Sequence, residues 1–190
     1  MTRMKKLTEI SLGAGPMIDI ADPKAEHMNI ESMLRAADHI NRFGGKGEPP
    51  VSVLRHSLFV AMIVDREHSA HGILHDLHEC IIGEIPTPAA HAIGYAVIGE
   101  VKRRLDVAIF SAAGVEISVR ATEDVKQADL ISLAHEKHYA RIDLGDDWGL
   151  GIPISLARLD VLSNMMGMHH EVAVDMAMDI LAEHRESQYV

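Results

Sequence analysis

Aromatic side chains are scarce in this chain, at 4% of its 190 residues. Sheet proteins lean on Tyr, Phe and Trp to cover their faces, so a β-sandwich or β-barrel is disfavoured from the outset. Cys80 is the single cysteine, which excludes an intrachain disulfide and suits a reducing compartment. No window reaches about 18 uninterrupted apolar residues, so no membrane span is expected. The N-terminal stretch Met1-Thr2-Arg3-Met4-Lys5-Lys6-Leu7 is basic but has no apolar run behind it. A secretory leader is therefore not expected, and the chain reads as a cytoplasmic protein. Positive charge is also short. Against 28 Asp and Glu stand 18 Lys and Arg, a net charge of -10 that argues against a nucleic-acid polymer as partner. A small anionic substrate is still admissible, because a metal ion and one or two local cations reverse the field inside a pocket.

What the chain does have is helix-forming apolar sequence. Apolar residues make up 47%, with Ala and Met prominent, and the length suits one domain over residues 1–190. Residues 1–28, with Gly13, Gly15, Pro16 and Pro23, read as an irregular lead-in with room for a short extended pair. Asn29 is placed to cap a helix over about 30–41, on which Ile30, Met33, Leu34, Ala37 and Ile40 keep helical spacing. Ser52 can cap a helix over about 53–66 that is apolar nearly all round, and such a helix is buried. Further helices are predicted at about 68–82, 95–112, 121–138, 155–165 and 169–186, the last with Ala173, Met176, Ala177, Ile180 and Leu181 as its buried stripe. The expectation is an all-α, single-domain bundle of about seven helices.

Within that pattern, four titratable side chains fall on faces assigned to the interior. His56 is flanked at helical spacing by Val53, Phe59 and Val60, and Asp129 by Val125 and Leu133. His75 and Asp76 are adjacent among Ile73, Leu74 and Leu77, and Glu79 comes round to their side at i+4 and i+3. Unpaired buried carboxylates cost several kcal/mol, so a shared cation is the economical reason for gathering such groups. Two His and two Asp suit a divalent first-row metal and leave positions open, the arrangement of a catalytic site; zinc, manganese, cobalt or magnesium all fit the donor types. A metal held this way lowers the pKa of a bound water.

His56, the His75–Asp76 doublet and Asp129, in that order, resemble the pattern of the HD-domain metal-dependent phosphohydrolases. The run from His75 to Pro88 is similar to the His-Asp-X-X-Glu-X-X-X-Gly-Asp-X-Pro-Thr-Pro run of their 5′-deoxynucleotidase branch. Lys126-Gln127-Ala128-Asp129 resembles that branch's Lys-Gln-Ala-Asp, and Arg55-His56-Ser57-Leu58 its Glu-His-Ser-Leu. Asn41-Arg42-Phe43-Gly44-Gly45 is similar to a segment of phage and prophage HD proteins, and the likeness covers roughly residues 17–135. The resemblance implies that His56, His75, Asp76 and Asp129 hold the metal. Glu79 would move protons or orient the water, and Glu84 would protonate the leaving oxygen or position the nucleophile. Arg42 would bind phosphate, and Phe43 would pack on sugar or base. The implied reaction is hydrolysis of a deoxynucleoside 5′-monophosphate to nucleoside and phosphate. The alternatives are triphosphate release from a dNTP and a non-catalytic nucleotide-binding module; relatives of this kind are often homo-oligomers.

Two departures from the family pattern bear on substrate fit. Glu84 stands where the family has Asp, one methylene longer, and Ala89-Ala90-His91 follows the Pro-Thr-Pro where a Lys is common. His68, His71 and His78 form a stripe with His75 that reads as a partly solvated face beside the pocket, in preference to a second metal site. Lys102-Arg103-Arg104 reads as a solvated helix face, Cys80 as small buried packing, and the methionines from Met165 to Met178 as core or subunit contact.

Overall fold

Short polar side chains start most of the long helices, and glycines stop several. In the computed structural model, which describes residues 7–13 and 15–188, a two-residue antiparallel pair comes first: β1 (Glu9–Ile10) against β2 (Ile18–Asp19). Then follow α1 (Ile30–Ala37), α2 (Val53–Ile63), α3 (Ser69–Leu74), α4 (Glu79–Ile82), α5 (Thr87–Ile93), α6 (Tyr95–Ala113), α7 (Val119–Tyr139), α8 (Leu156–Met166) and α9 (His170–Ser187). Asn29 accepts from the N–H of Ser32 and starts α1, while Ser52, Ser118 and Ser155 cap α2, α7 and α8 in the same way. Gly114, at φ 71°, ends α6 in the left-handed conformation that glycine adopts without strain. The all-α bundle expected from composition and periodicity is what forms. The basic stretch weighed as a leader lies, as far as Lys6, outside the described residues.

Two local departures from the expected helices matter. The helix predicted over about 68–82 divides into α3 and α4, because the turn between them tightens to i→i+3 bonding. Leu77 N–H donates to Leu74, Glu79 N–H to Asp76 and Cys80 N–H to Leu77. Such a stretch has three residues per turn, so side chains three apart eclipse one another. The second departure is α5, a short helix that forms straight after Pro86, where proline's fixed φ suits a first turn.

α2 is buried along nearly its whole length, with α3, α7, α8 and α9 packed around it. Its neighbours close a core of Leu34, Leu54, Leu58, Phe59, Ile73, Leu74, Leu105, Ile109 and Leu162, all at most 1% exposed. Met165 is part of this core and Met166, Met168, Met176 and Met178 pack against it. Cys80, 6% exposed, is held by packing, and burial pushes its thiol pKa up to about 12. α2 and α3 approach closely at Gly72, where a methyl group would lie 2.7 Å from the Cα of Ala61. No residue other than glycine fits there without moving one helix off the other.

Asp38 and Arg55 together tie four elements beyond the core. The Asp38 carboxylate, at the end of α1, accepts from the Ser52 hydroxyl and from Arg55 on α2, and meets His170 Nδ1 at the start of α9. Arg55 also donates to the carbonyls of Met165 and Met166 at the end of α8, satisfying groups the helix leaves unpaired. Burial raises the Asp38 pKa, but the hydrogen bonds from Ser52, His170 and Arg55 outweigh it and hold the value below the usual 3.8.

Gly72→Ala should destabilise the protein by about 1–3 kcal/mol through overpacking, measured by chemical denaturation. Because the folded-state pKa of Asp38 lies below its unfolded value, its contribution is complete above about pH 4 and lost as pH falls through the folded pKa. The stability gap between wild type and Asp38→Asn should therefore be wide at pH 7 and shrink progressively below pH 4.

Candidate metal centre

His56, on α2, and His75, at the end of α3, meet across the Gly72–Ala61 contact with their Nε2 atoms 3.1 Å apart. The other nitrogen of each ring is already committed. His56 Nδ1 lies 2.7 Å from Glu136 Oε1, and His75 Nδ1 lies 2.8 Å from the carbonyl of Gly72. With the Nδ1 protons donated to those oxygens, both Nε2 atoms present lone pairs to the same point. Two facing lone pairs repel, so the arrangement calls for a proton or a metal ion between them. Carboxylate-supported and carbonyl-supported imidazoles are how proteins orient histidine for a metal.

The carboxylates complete the cluster. Asp76 Oδ2 is 3.5 Å from His56 Nε2 and 3.4 Å from His75 Nε2. Asp129 Oδ1, from α7, is 3.3 Å from His56 Nε2, and this oxygen is buried without a hydrogen-bond partner. Ligand atoms of His56, His75 and Asp76 all lie within 4.8 Å of one another. All four side chains expected to share a cation are thus brought together, from three separate parts of the chain. His56 is fully buried as expected. Asp129 differs: its side chain is 37% exposed, so the cluster opens to one side instead of being sealed in the core.

Charge inside the cluster is balanced by a residue that periodicity did not single out as buried. Arg42 Nε is 2.9 Å from Glu136 Oε2, and its two terminal nitrogens lie 3.3 Å from Asp76 Oδ2 and 3.8 Å from Asp129 Oδ1. Arg42 is expected to contact phosphate; in the structure its guanidinium pairs with these three carboxylates and also borders the cavity described below. Its burial would lower its pKa, but Glu136, Asp76 and Asp129 hold it raised. Burial pushes Glu136 up, and the charges of Arg42 and His56 more than reverse this, taking it down to about 2. For His56, burial and Arg42 act downward while Glu136 and Asp76 carry the pKa up to about 9. Protons and a metal ion therefore compete for the same imidazole nitrogens.

Glu136 and Ser132 were missed in the sequence. Ser132 donates to Glu136 Oε1 at 2.9 Å, and both are fully buried. A signal was available: Asp129, Ser132 and Glu136 fall at i, i+3 and i+7 on one face of α7.

Glu79, on α4, is 4% exposed. One of its oxygens lies 3.3 Å from Lys102 Nζ and the other is buried without a partner. Burial, and then the charge of Asp76, raise its pKa. Lys102 accordingly turns inward, in contrast to the solvated face expected for it; Arg103 and Arg104 stay outside and pair with Glu100. Glu84 is a backbone anchor, accepting from the Gly44 N–H at 3.0 Å. His91 stacks on Tyr95 at 4.8 Å and does not line the cavity beside the cluster.

That cavity, about 530 Å³, is bounded by Arg42, Phe43, Lys46, Glu84, Pro86, Leu133, Ile142 and Trp148 among others. Phe43 has φ 61°, an uncommon conformation for an aromatic residue, and it opens a left-handed turn continued by Gly44 and Gly45. Its ring and that of Trp148 have centroids 6.4 Å apart. Trp148 belongs to the loop after α7 and was not singled out in the sequence. The histidine stripe also differs from expectation. His68, His71 and His78 are 7%, 7% and 3% exposed, so they are buried and not a solvated face. His68 meets Asp124, His71 the carbonyl of Glu116, and His78 meets Asp106, each at 2.8 Å.

No family model matches the chain. Over 130 residues it is 28% identical to an uncharacterised protein of Rhodobacter capsulatus, across 63% of this chain and 66% of that one. Over 128 residues it is 27% identical to the uncharacterised protein YfdR of Escherichia coli K12, across 66% of each. The chain thus spans just under two thirds of the length of these curated relatives. Among the described residues no helix is long and apolar enough to cross a membrane.

The buried His and Asp groups can hold a metal ion. At free metal a hundred times Kd, binding should stabilise the fold by about 2.7 kcal/mol, read as a rise in Tm that a chelator reverses. His75→Ala should abolish the shift. Glu136→Gln should weaken the affinity by about 10–100-fold in a calorimetric titration.

Proposed function

We propose that this chain is an HD-domain phosphohydrolase that uses one divalent metal to hydrolyse nucleotides, with deoxynucleoside 5′-monophosphates as the preferred class. The observation that carries the reading is the convergence of two bare Nε2 atoms, Asp76 and the unpartnered Asp129 oxygen beside a cavity walled by aromatic rings. A divalent ion held there supplies Lewis-acid stabilisation of phosphoryl charge and activation of water.

The chain's own residues supply the rest. Arg42 fixes the carboxylates and also borders the cavity, so its charge is felt by an anion placed between them. Lys46 adds a second cation on the same wall. Glu79, raised in pKa and with one free oxygen, takes or returns a proton next to Asp76. Phe43 and Trp148 offer apolar ring surface for a base or sugar, and the cavity lies within the usual range for a small-molecule site. Glu84 acts on substrate fit by holding the Phe43–Gly45 turn through its bond to Gly44.

Purified protein should release inorganic phosphate from dNMPs in the presence of Mn²⁺, Co²⁺, Zn²⁺ or Mg²⁺, followed by separating phosphate from triphosphate. Triphosphate release from dNTPs would instead select the alternative hydrolase. Turnover of neither would overturn the enzymatic reading, and ligand binding without turnover would leave a nucleotide-binding module. Trp148 is the single tryptophan, so its fluorescence reports on the cavity directly. Nucleotide should quench it in metal-loaded protein, and Trp148→Ala should raise KM severalfold with kcat little changed.

A further inference from the structure

Lys137, in the last turn of α7, is a buried cation to which the metal centre gives no task. A buried ammonium ordinarily needs a carboxylate beside it. This one is held by backbone instead: Nζ donates to the carbonyls of Asp143 and Asp146 and lies 5.0 Å from the centroid of the Trp148 ring. The loop it grips has a conformation that needs holding. Arg141, Asp143 and Trp148 have φ of 56°, 44° and 54°, in the left-handed region that side chains other than glycine resist. Asp146 Oδ1 and Asp147 Oδ1 accept from the N–H groups of Trp148 and Gly149 at 2.8 Å, which shapes the turn locally. Lys137 is what fastens that turn to a helix.

We propose, resting on the nucleotide reading above, that Lys137 is a positioning residue for base binding: its grip on the two carbonyls holds the Trp148 ring in the cavity wall. Asp129, Leu133 and Lys137 stand on successive turns of α7. One helix thus carries a carboxylate of the metal cluster, a side chain of the cavity wall and the anchor of the Trp148 loop. Lys137 itself borders a separate cavity of about 290 Å³, whereas Trp148 lines the one of about 530 Å³. Leu150, from the same loop, lines both, so the loop is the partition between them. The ammonium therefore acts on the ring from outside the nucleotide cavity and touches no substrate placed in it. A ring fixed beforehand loses little freedom when a base stacks on it, so the base binds more tightly than it would to a loose loop. With the ammonium removed, the left-handed residues relax and the ring leaves the wall, while His56, His75 and Asp76 keep their places.

The test uses the single tryptophan of the full chain as its probe. In Lys137→Met protein, acrylamide quenching of Trp148 fluorescence should rise about twofold over wild type, with the circular dichroism of the helices unchanged. KM for dAMP should rise severalfold while kcat stays within about twofold, as expected when binding common to ground and transition states is lost. In a Trp148→Ala background the same substitution should change KM by less than about twofold, because the ring through which Lys137 acts is gone. Lys137→Gln, shorter and neutral, cannot hold both carbonyls and should move quenching and KM in the same direction; it carries the test if Lys137→Met folds poorly. Unchanged quenching in folded Lys137→Met, or an effect on KM that adds in full to that of Trp148→Ala, would overturn the positioning role. So would a fall in kcat with KM unmoved, the mark of a disturbance passed through Glu136 to the metal centre. If wild type hydrolyses no dNMP, the phosphohydrolase reading fails separately, and a dAMP titration of Trp148 fluorescence takes the place of KM. Absence of dAMP binding there, or a Kd that Lys137→Met leaves unmoved, would overturn the positioning role.

Discussion

The contact of α3 with α2 at Gly72 is the constraint on which the site depends. Gly72 lets the helices close to a separation that no side chain permits, and that closeness sets the His56–His75 Nε2 distance of 3.1 Å. The same residue offers its carbonyl to His75 Nδ1, which decides which nitrogen of the ring faces the cluster. Packing and tautomer are therefore set at one position. Interiors this dense transmit a displaced helix directly to the side chains it carries.

Around that contact the structure arranges charge in layers. Glu136 and Arg42 lie innermost, paired at 2.9 Å and almost fully buried, and they face His56 and the two aspartates from below. Pairing of this kind offsets the desolvation of each ion, whereas either alone would be strongly destabilising. Asp76 and Asp129 form the next layer, and the aromatic cavity the outermost. The layering gives the imidazoles a fixed orientation, and Arg42 links the cluster to the cavity that Phe43 and Trp148 line.

Much of this was readable in advance, for identifiable reasons. Cap residues and apolar spacing located most of the helices, because both are local properties of the chain. His56, His75, Asp76 and Asp129 stood out because each is titratable at an apolar register. Arg42 was noticed for its loop, but its role in the structure, pairing with Glu136 some ninety residues on, is a long-range fact with no local trace. Trp148 escaped notice because loop sequence carries no periodicity from which to infer a face. The histidine stripe was misread as solvated because what covers it, Asp124, the Glu116 carbonyl and Asp106, comes from segments distant in sequence.

The sequence by itself determined an all-α chain, the order of its helices and the identities of four converging polar side chains, since hydrophobic spacing and capping act within a few residues. Only the tertiary structure decided that Glu136 would orient His56, that Arg42 would pair with Glu136 and the aspartates at the edge of the cavity, and that His78 and Glu79 would each bury an unpartnered atom. Those outcomes depend on how closely helices distant in sequence approach one another, and that is fixed by three-dimensional packing at places such as Gly72 and Ala61.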